Sequence, residues 1–421
     1  MGVVASMQRT AELVLLVAVV LFASACDEPG GACPPGDGLG SWSATTREGS
    51  PVHRHHHATV YERTTDRVII WGGAGDTAEL ADGAIYNPRD DTWEALPTEG
   101  APSARTQFAH AFTGRYLVIF GGMRRVTSEE ERPGEILGDG AILDVTTLTW
   151  SPLPVEGIPP PRYRAAATAV GARVFVVGGL DADGVRGDAH VLDLGAVPPA
   201  WRGLRGAPPL TTSDDPLPYA AEPLFLSHND VALVAISGVG TGGPTMRAAV
   251  YPLGAGIEVG GPWSVDDSPQ APPARSGAVM VTVGGGRFMV YGGHAPHLEA
   301  GDDARQYIDD GALLTVTPGS NAMTWEQVTG VDGVSVPRAY AGGVWTGDGL
   351  MVVGGRDPGH CGGGVFWDYN SRQWTRLTYA NGPRAGRFPG VAWTGVGLVV
   401  FGGMRPLTQS TLGPVGGVWR P

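Results

Sequence analysis

The sequence predicts an all-β fold of seven small four-stranded sheets closed into a ring. Three observations carry this: the density of turns, an apolar run ending in Gly-Gly that recurs along the chain, and a tryptophan in fixed phase with it. Of 421 residues, 66 are glycine and 35 are proline, far more punctuation than helix interiors tolerate. A hydrophobic content of 42% with 12 tryptophans is nonetheless too apolar for a disordered polymer.

The Gly-Gly marks are Val68–Gly73, Leu117–Gly122, Val174–Gly179, Phe288–Gly293, Leu350–Gly355 and Leu398–Gly403, with a degraded seventh at Val231–Gly238. Continuous apolar tetrads bounded by glycine read as strands buried on both faces. Tryptophans stand at 42, 93, 150, 201, 263, 325 and 374, and six of the seven precede the next mark by 28 to 30 residues. Each repeat therefore reads as an apolar strand, a short turn, the Gly-Gly strand, a loop, a third strand such as Asp82–Tyr86, and the Trp strand. The first Trp precedes the first Gly-Gly, so the last sheet lacks a fourth strand of its own. The segment Ser41–Thr46 is expected to supply it and leave no open edge.

These marks resemble those of kelch and galactose-oxidase-like β-propellers, whose blades carry Gly-Gly after the second strand and a Trp in the fourth. The resemblance covers residues 41–421 and implies a seven-bladed kelch-type propeller. Galactose oxidase holds copper with two histidines and two tyrosines, including an adjacent Tyr-His pair, and no such dipeptide occurs here. No serine elbow, phosphate loop or dinucleotide fingerprint appears either, so no catalytic residue and no cofactor is assigned.

Ahead of the repeats, residues 13–23 form an apolar run too short to span a bilayer. Arg9 before it and Ser24-Ala25-Cys26 after it fit a secretory signal over residues 1–25, and its end resembles the lipobox of bacterial lipoproteins. That resemblance implies acylation of Cys26 and a membrane-anchored protein on the periplasmic or cell-surface side of a bacterial envelope, joined to the membrane only through lipid. An ordinary cleaved signal is the alternative. Residues 26–40 read as a Gly/Pro-rich tether. In an oxidising compartment Cys33 and Cys361 form the natural disulfide pair, against the alternative of two free thiols.

Charge narrows the partners. The formal net charge of −13 disfavours nucleic acid, and with no lysine in the chain, lysine-nucleophile chemistry is excluded. Arginine precedes the first strand of six repeats, at Arg54, Arg105, Arg162, Arg275, Arg338 and Arg384. They form either a ring of ligand-binding guanidiniums for an acidic sugar or struts joining neighbouring blades through Asp82, Asp139, Asp188 and Asp310. His53, His55 and His57 alternate, as if sharing one face toward a central channel while His56 points away. Three imidazoles could hold zinc or copper, but a strand histidine recurs at His110, and no metal site is assigned. The pair His294 and His297 with Asp302-Asp303, and the run Asp181–Gly184, read as solvated loops rather than cation sites. The sixteen-residue loops 123–138 and 294–309 mix charge with an aromatic, as interaction surfaces do, the alternative being solvated decoration. The expected function is a monomeric scaffold binding an envelope or extracellular protein or glycan. The alternative is a periplasmic carbohydrate-active enzyme resembling kelch-type sialic acid epimerases.

Overall fold

A computed structural model of the chain describes residues 38–125, 134–204, 206, 225–228, 232–237, 246–253, 263–266, 268–295, 307–317, 320, 322–331, 334, 337–356, 363–378, 380–383, 385–404 and 415–421. These residues contain seven four-stranded antiparallel sheets and no helix. Blade 1 runs through Ala58–Glu62, Arg67–Trp71, Gly83–Asn87 and Thr92–Ala95. The first strands of blades 2 to 7 begin at Ala109, Ala166, Phe225, Val279, Gly342 and Gly390. Two two-stranded hairpins, Met123–Arg124 with Glu135–Ile136 and Leu180–Asp181 with Gly184–Val185, rise from the loops after the Gly-Gly strands of blades 2 and 3.

The core is seven wedges, one between each pair of adjacent blades. One wedge joins Ile69, Trp71 and Ile85 of blade 1 to Leu117, Ile119 and Trp150 of blade 2. Another joins Val68, Ile70 and Tyr86 of the same blade to Val399 and Phe401 of blade 7. Alternate residues of one strand thus enter opposite wedges, so Val68 to Trp71 are all buried and the run reads as continuously apolar. At six of the seven junctions the first strands of neighbouring blades contact one another, which only innermost strands can do. The Trp strands lie at the outer edge.

The tryptophans also stitch blade to blade. Trp93 Nε1 donates to Thr46 O (3.1 Å), Trp150 to Pro97 O (3.0 Å), Trp374 to Thr329 O (3.1 Å) and Trp42 to Thr378 O (2.8 Å). Each acceptor lies four residues past the tryptophan of the preceding blade. Trp325 makes the same reach to the carboxylate of Asp266 at 2.6 Å. In these five blades the neighbour supplies the partner that a buried indole N–H needs, whereas the buried N–H groups of Trp201 and Trp263 have none among the described residues.

Ring closure is as expected. Ser41–Ala44 pairs with Gly416–Arg420, setting Trp42 opposite Trp419, and this strand is the fourth of blade 7. Trp419 Nε1 donates to Leu39 O at 2.9 Å, while Leu39 bridges Leu377 of blade 6. The N-terminal segment is therefore fastened to two blades at once.

Candidate functional site

Five of the six expected arginines lie inside the blades. Arg54, Arg105, Arg162, Arg275 and Arg338 are at most 2% exposed. Their Nη1 atoms donate to the first carbonyl of the Gly-Gly pair, at Gly72, Gly121, Gly178, Gly292 and Gly354, over 3.0 to 3.2 Å. Four also pair with Asp82, Asp139, Asp188 and Asp310 of their own blade. This corrects two expectations. The acidic partner is within the blade, not in the neighbour, and these guanidiniums are consumed as struts that hold the Gly-Gly turn instead of lining a funnel. Neighbouring blades are joined instead by the arginine's backbone carbonyl: Gly73, Gly122, Gly293 and Gly403 N–H donate to Arg105, Arg162, Arg338 and Arg54. Asp188 shows the electrostatics. Burial raises its carboxyl, but hydrogen bonds from His190 and Arg162 outweigh this and hold it well below the usual range.

Arg384 lies outside the described residues, and the strut position of blade 7 is read from its neighbours. In the five blades that carry a strut, the residue after it bridges the residue after Gly-Gly, as in His55–Ala74 and Thr106–Met123. In blade 7 that bridge is Arg387–Met404, so Gly386 holds the strut position and its carbonyl accepts from Gly355 N–H.

Two residues past each strut, and two before each first strand, comes a residue with left-handed backbone. These are His56 (φ 51°), Gln107 (53°), Arg164 (56°), Gly277 (64°), Tyr340 (60°) and Phe388 (58°). Because innermost strands begin immediately after them, the six encircle the mouth of the central channel on the face that carries the Gly-Gly turns. Arg164 N–H donates to Gln107 O, Tyr340 N–H to Gly277 O and Phe388 N–H to Tyr340 O, each over 2.7 to 2.8 Å. Five non-glycine residues held in this region are backbone strain of the sort that collects at binding sites.

The ring has two chemical halves. His56 stacks on Phe388 with centroids 3.7 Å apart, and Phe388 meets Tyr340 at 4.8 Å, forming one aromatic arc over blades 6, 7 and 1. His294 extends the arc, its Nε2 lying 2.8 Å from Tyr340 Oη. On blades 2 and 3 the ring is polar, with Arg164 Nε donating to Gln107 Oε1 at 2.7 Å.

This ring was not among the expected site residues, although its signal is in the sequence: the segments Arg54–Ala58, Arg105–Ala109, Arg162–Ala166 and Arg338–Gly342 align on the arginine, and the third position of each is the ring residue. The three alternating histidines do not share a face. The left-handed turn at His56 breaks the alternation and sends that residue to the mouth, His57 is buried beside Phe401 of blade 7, and His53 faces Asp76 at 3.8 Å. Burial, with the Arg54 charge, pushes the His57 imidazole well below its ordinary value, and burial alone takes His110 down to about 4. In Asp181–Gly184 both carboxylates pair with Arg186. Cys26, Cys33 and Cys361, His297 with Asp302-Asp303, and most of the loops 123–138 and 294–309 lie outside the described residues.

With this geometry in place, comparison with known proteins is informative. Residues 39–205, the closing strand and blades 1 to 3, match the family described as the KLHDC2/KLHL20/DRC7 Kelch-repeats domain. The fold is a kelch-repeat propeller. The Rab9 effector protein with kelch motifs of Mus musculus is 31% identical over 152 residues, 35% of this chain and 38% of that protein. Adagio-like protein 3 of Oryza sativa is 28% identical over 268 residues, 60% of this chain and 40% of that protein. The chain thus spans less than half the length of these curated relatives. A fungal alcohol oxidase of the AA5 family, solved with copper, superposes with a TM-score of 0.65 at 16% identity, over 91% of this chain and 76% of that one, which shows the shared fold. Among the described residues no three of His, Cys, Asp and Glu converge, and the His294–Tyr340 contact is a hydrogen bond within the aromatic arc.

Proposed function

We propose that this protein is a lipid-anchored, extracytoplasmic kelch propeller that binds a protein or glycan partner through the face carrying the Gly-Gly turns. The observation that carries the reading is the left-handed ring at the channel mouth. Six equivalent positions share one costly backbone conformation, while their side chains differ from blade to blade. A shared backbone with varied side chains is how a repeat scaffold presents a specific surface. No catalytic group is assigned, because the buried arginines are consumed by the blades and the mouth offers stacking and hydrogen bonding rather than a nucleophile with its base.

Two measurements test this. Radiolabelled palmitate should label the full chain and not Cys26→Ser; label persisting in the variant overturns the anchor. A photo-crosslinking amino acid at Gln107, in the ring, should trap a partner in intact cells, whereas the same group at Arg89, in a turn on the opposite face, should not. Equal trapping from both positions would refute the proposed binding face.

A further inference from the structure

Many of the described arginines are neutralised by carboxylates, as expected in a chain of net charge −13. Arg115 is held by Asp144, Arg124 by Glu135, Arg125 by Glu79, and Arg173 by Asp193. Two half-buried arginines at the channel mouth are not. Arg164 donates to the neutral Oε1 of Gln107 and lies over the Tyr163 ring at 5.9 Å. Arg387, next to Phe388, donates from Nη2 to the thioether of Met404 at 3.2 Å. Neither has a carboxylate partner among the described residues. A guanidinium removed from bulk water and given only neutral acceptors keeps unused donors in a planar fork suited to an anion.

Their placement adds a second element. In a sevenfold ring, blade 3 lies across the axis from the junction of blades 6 and 7, so the Arg164 position lies across the mouth from the arc of Tyr340 and Phe388. Arg387 flanks that arc from blade 7. Gly277 adds nothing to the ring on blade 5, because the Tyr340 ring occupies the space: a Cβ at Gly277 would come within 2.7 Å of it. The mouth therefore pairs a flat aromatic wall, already stacked in the order His56, Phe388 and Tyr340, with guanidinium groups opposite and beside it.

We propose that the channel mouth binds a carboxylate carried on a six-membered ring, the ring's apolar face packing on Tyr340 and Phe388 and the carboxylate taken by Arg164 and Arg387. Sugar acids and aromatic acids share this chemistry, and both face and charge would be read together. The inference rests on the binding-face reading above and names the ligand class for it.

The test is calorimetric titration of the full-length protein with glucuronate against glucose, and with benzoate against benzyl alcohol. Saturable binding of at least one acid, about tenfold or more tighter than its neutral counterpart, is expected, and which pair responds identifies the ring. Arg164→Gln and Arg387→Gln should each reduce that affinity about tenfold, and Phe388→Ala should weaken acid and neutral ligand alike. Equal affinity for acid and neutral compound, no saturable binding of either acid up to roughly 10 mM, or an acid preference that survives both arginine variants would overturn the proposal. The wild-type acid-to-neutral ratio decides even where a variant folds poorly. Crosslinking from Gln107 without acid binding would leave the binding face standing and remove the ligand class alone.

Discussion

Trp42 Nε1 donates to the carbonyl oxygen of Thr378 at 2.8 Å across 336 residues of sequence. Trp93 Nε1 in turn donates to Thr46 O at 3.1 Å. The N-terminal strand is thus held by the blade before it and holds the blade after it, and the ring closes with the same bond that Trp150 and Trp374 make elsewhere.

Trp42→Phe keeps most of the apolar contact and removes the donor, so it should cost about 1 kcal/mol. Trp42→Ala also opens a cavity against Leu377, Leu398 and Trp419 and should cost about 3 to 5 kcal/mol. Urea unfolding of the two variants checks the difference. Equal losses would show that the indole bond adds nothing.

The strut arginines should not tolerate lysine. Arg105 serves Ser103 O, Gly121 O, Asp139 O and the Asp139 carboxylate from one planar fork. An ammonium cannot reach all four, so Arg105→Lys should lose at least half of the roughly 3 kcal/mol lost in Arg105→Ala. Denaturant midpoints measure both.

Stability should fall on mild acidification. His110 is neutral in the folded chain until about pH 4, whereas in the unfolded chain it protonates near its ordinary value of 6.5. Between those values the unfolded state binds the extra proton, so stability is complete above about pH 6.5 and declines as pH falls toward 4. His57, shifted in the same direction, adds to the decline. The melting temperature followed from pH 8 to 4 should drop less in a His110→Gln variant than in wild type; parallel curves would remove His110 from the account.

Glycine substitutions should separate strain from collision. Gly171 has φ 55° and open space around it, with no atom within 4 Å of where a Cβ would sit, so Gly171→Ala should cost only the left-handed penalty of about 1 to 2 kcal/mol. At Gly121, φ is 68° and a Cβ would lie 2.4 Å from Arg162 O of the next blade. Gly121→Ala should therefore cost several-fold more, or prevent folding, as read by circular dichroism and melting.

Much of this molecule is legible in its residue order. The Gly-Gly strands are buried in two wedges at once, so their apolarity has no gaps; the tryptophans recur because each must meet the preceding blade. Both constraints are local to a repeat and therefore periodic. Legibility ended where neighbouring repeats act on one another. Spacing put Arg384 in line with the struts, yet the turn after the first strand varies in length, and the bridge Arg387–Met404 assigns the place to Gly386. Alternation put His53, His55 and His57 on one face, yet the left-handed residue at His56 breaks the alternation there.

Sequence alone determined the number of blades, the strand order within each and the N-terminal closure, because every one of these follows from a repeating local requirement for burial or for a turn. Tertiary structure alone decided that the arginines face inward as struts, and that His56, Tyr340 and Phe388, far apart along the chain, make one aromatic wall across from Arg164. Circular closure brings distant repeats side by side, and no period along the chain records which side chains then meet.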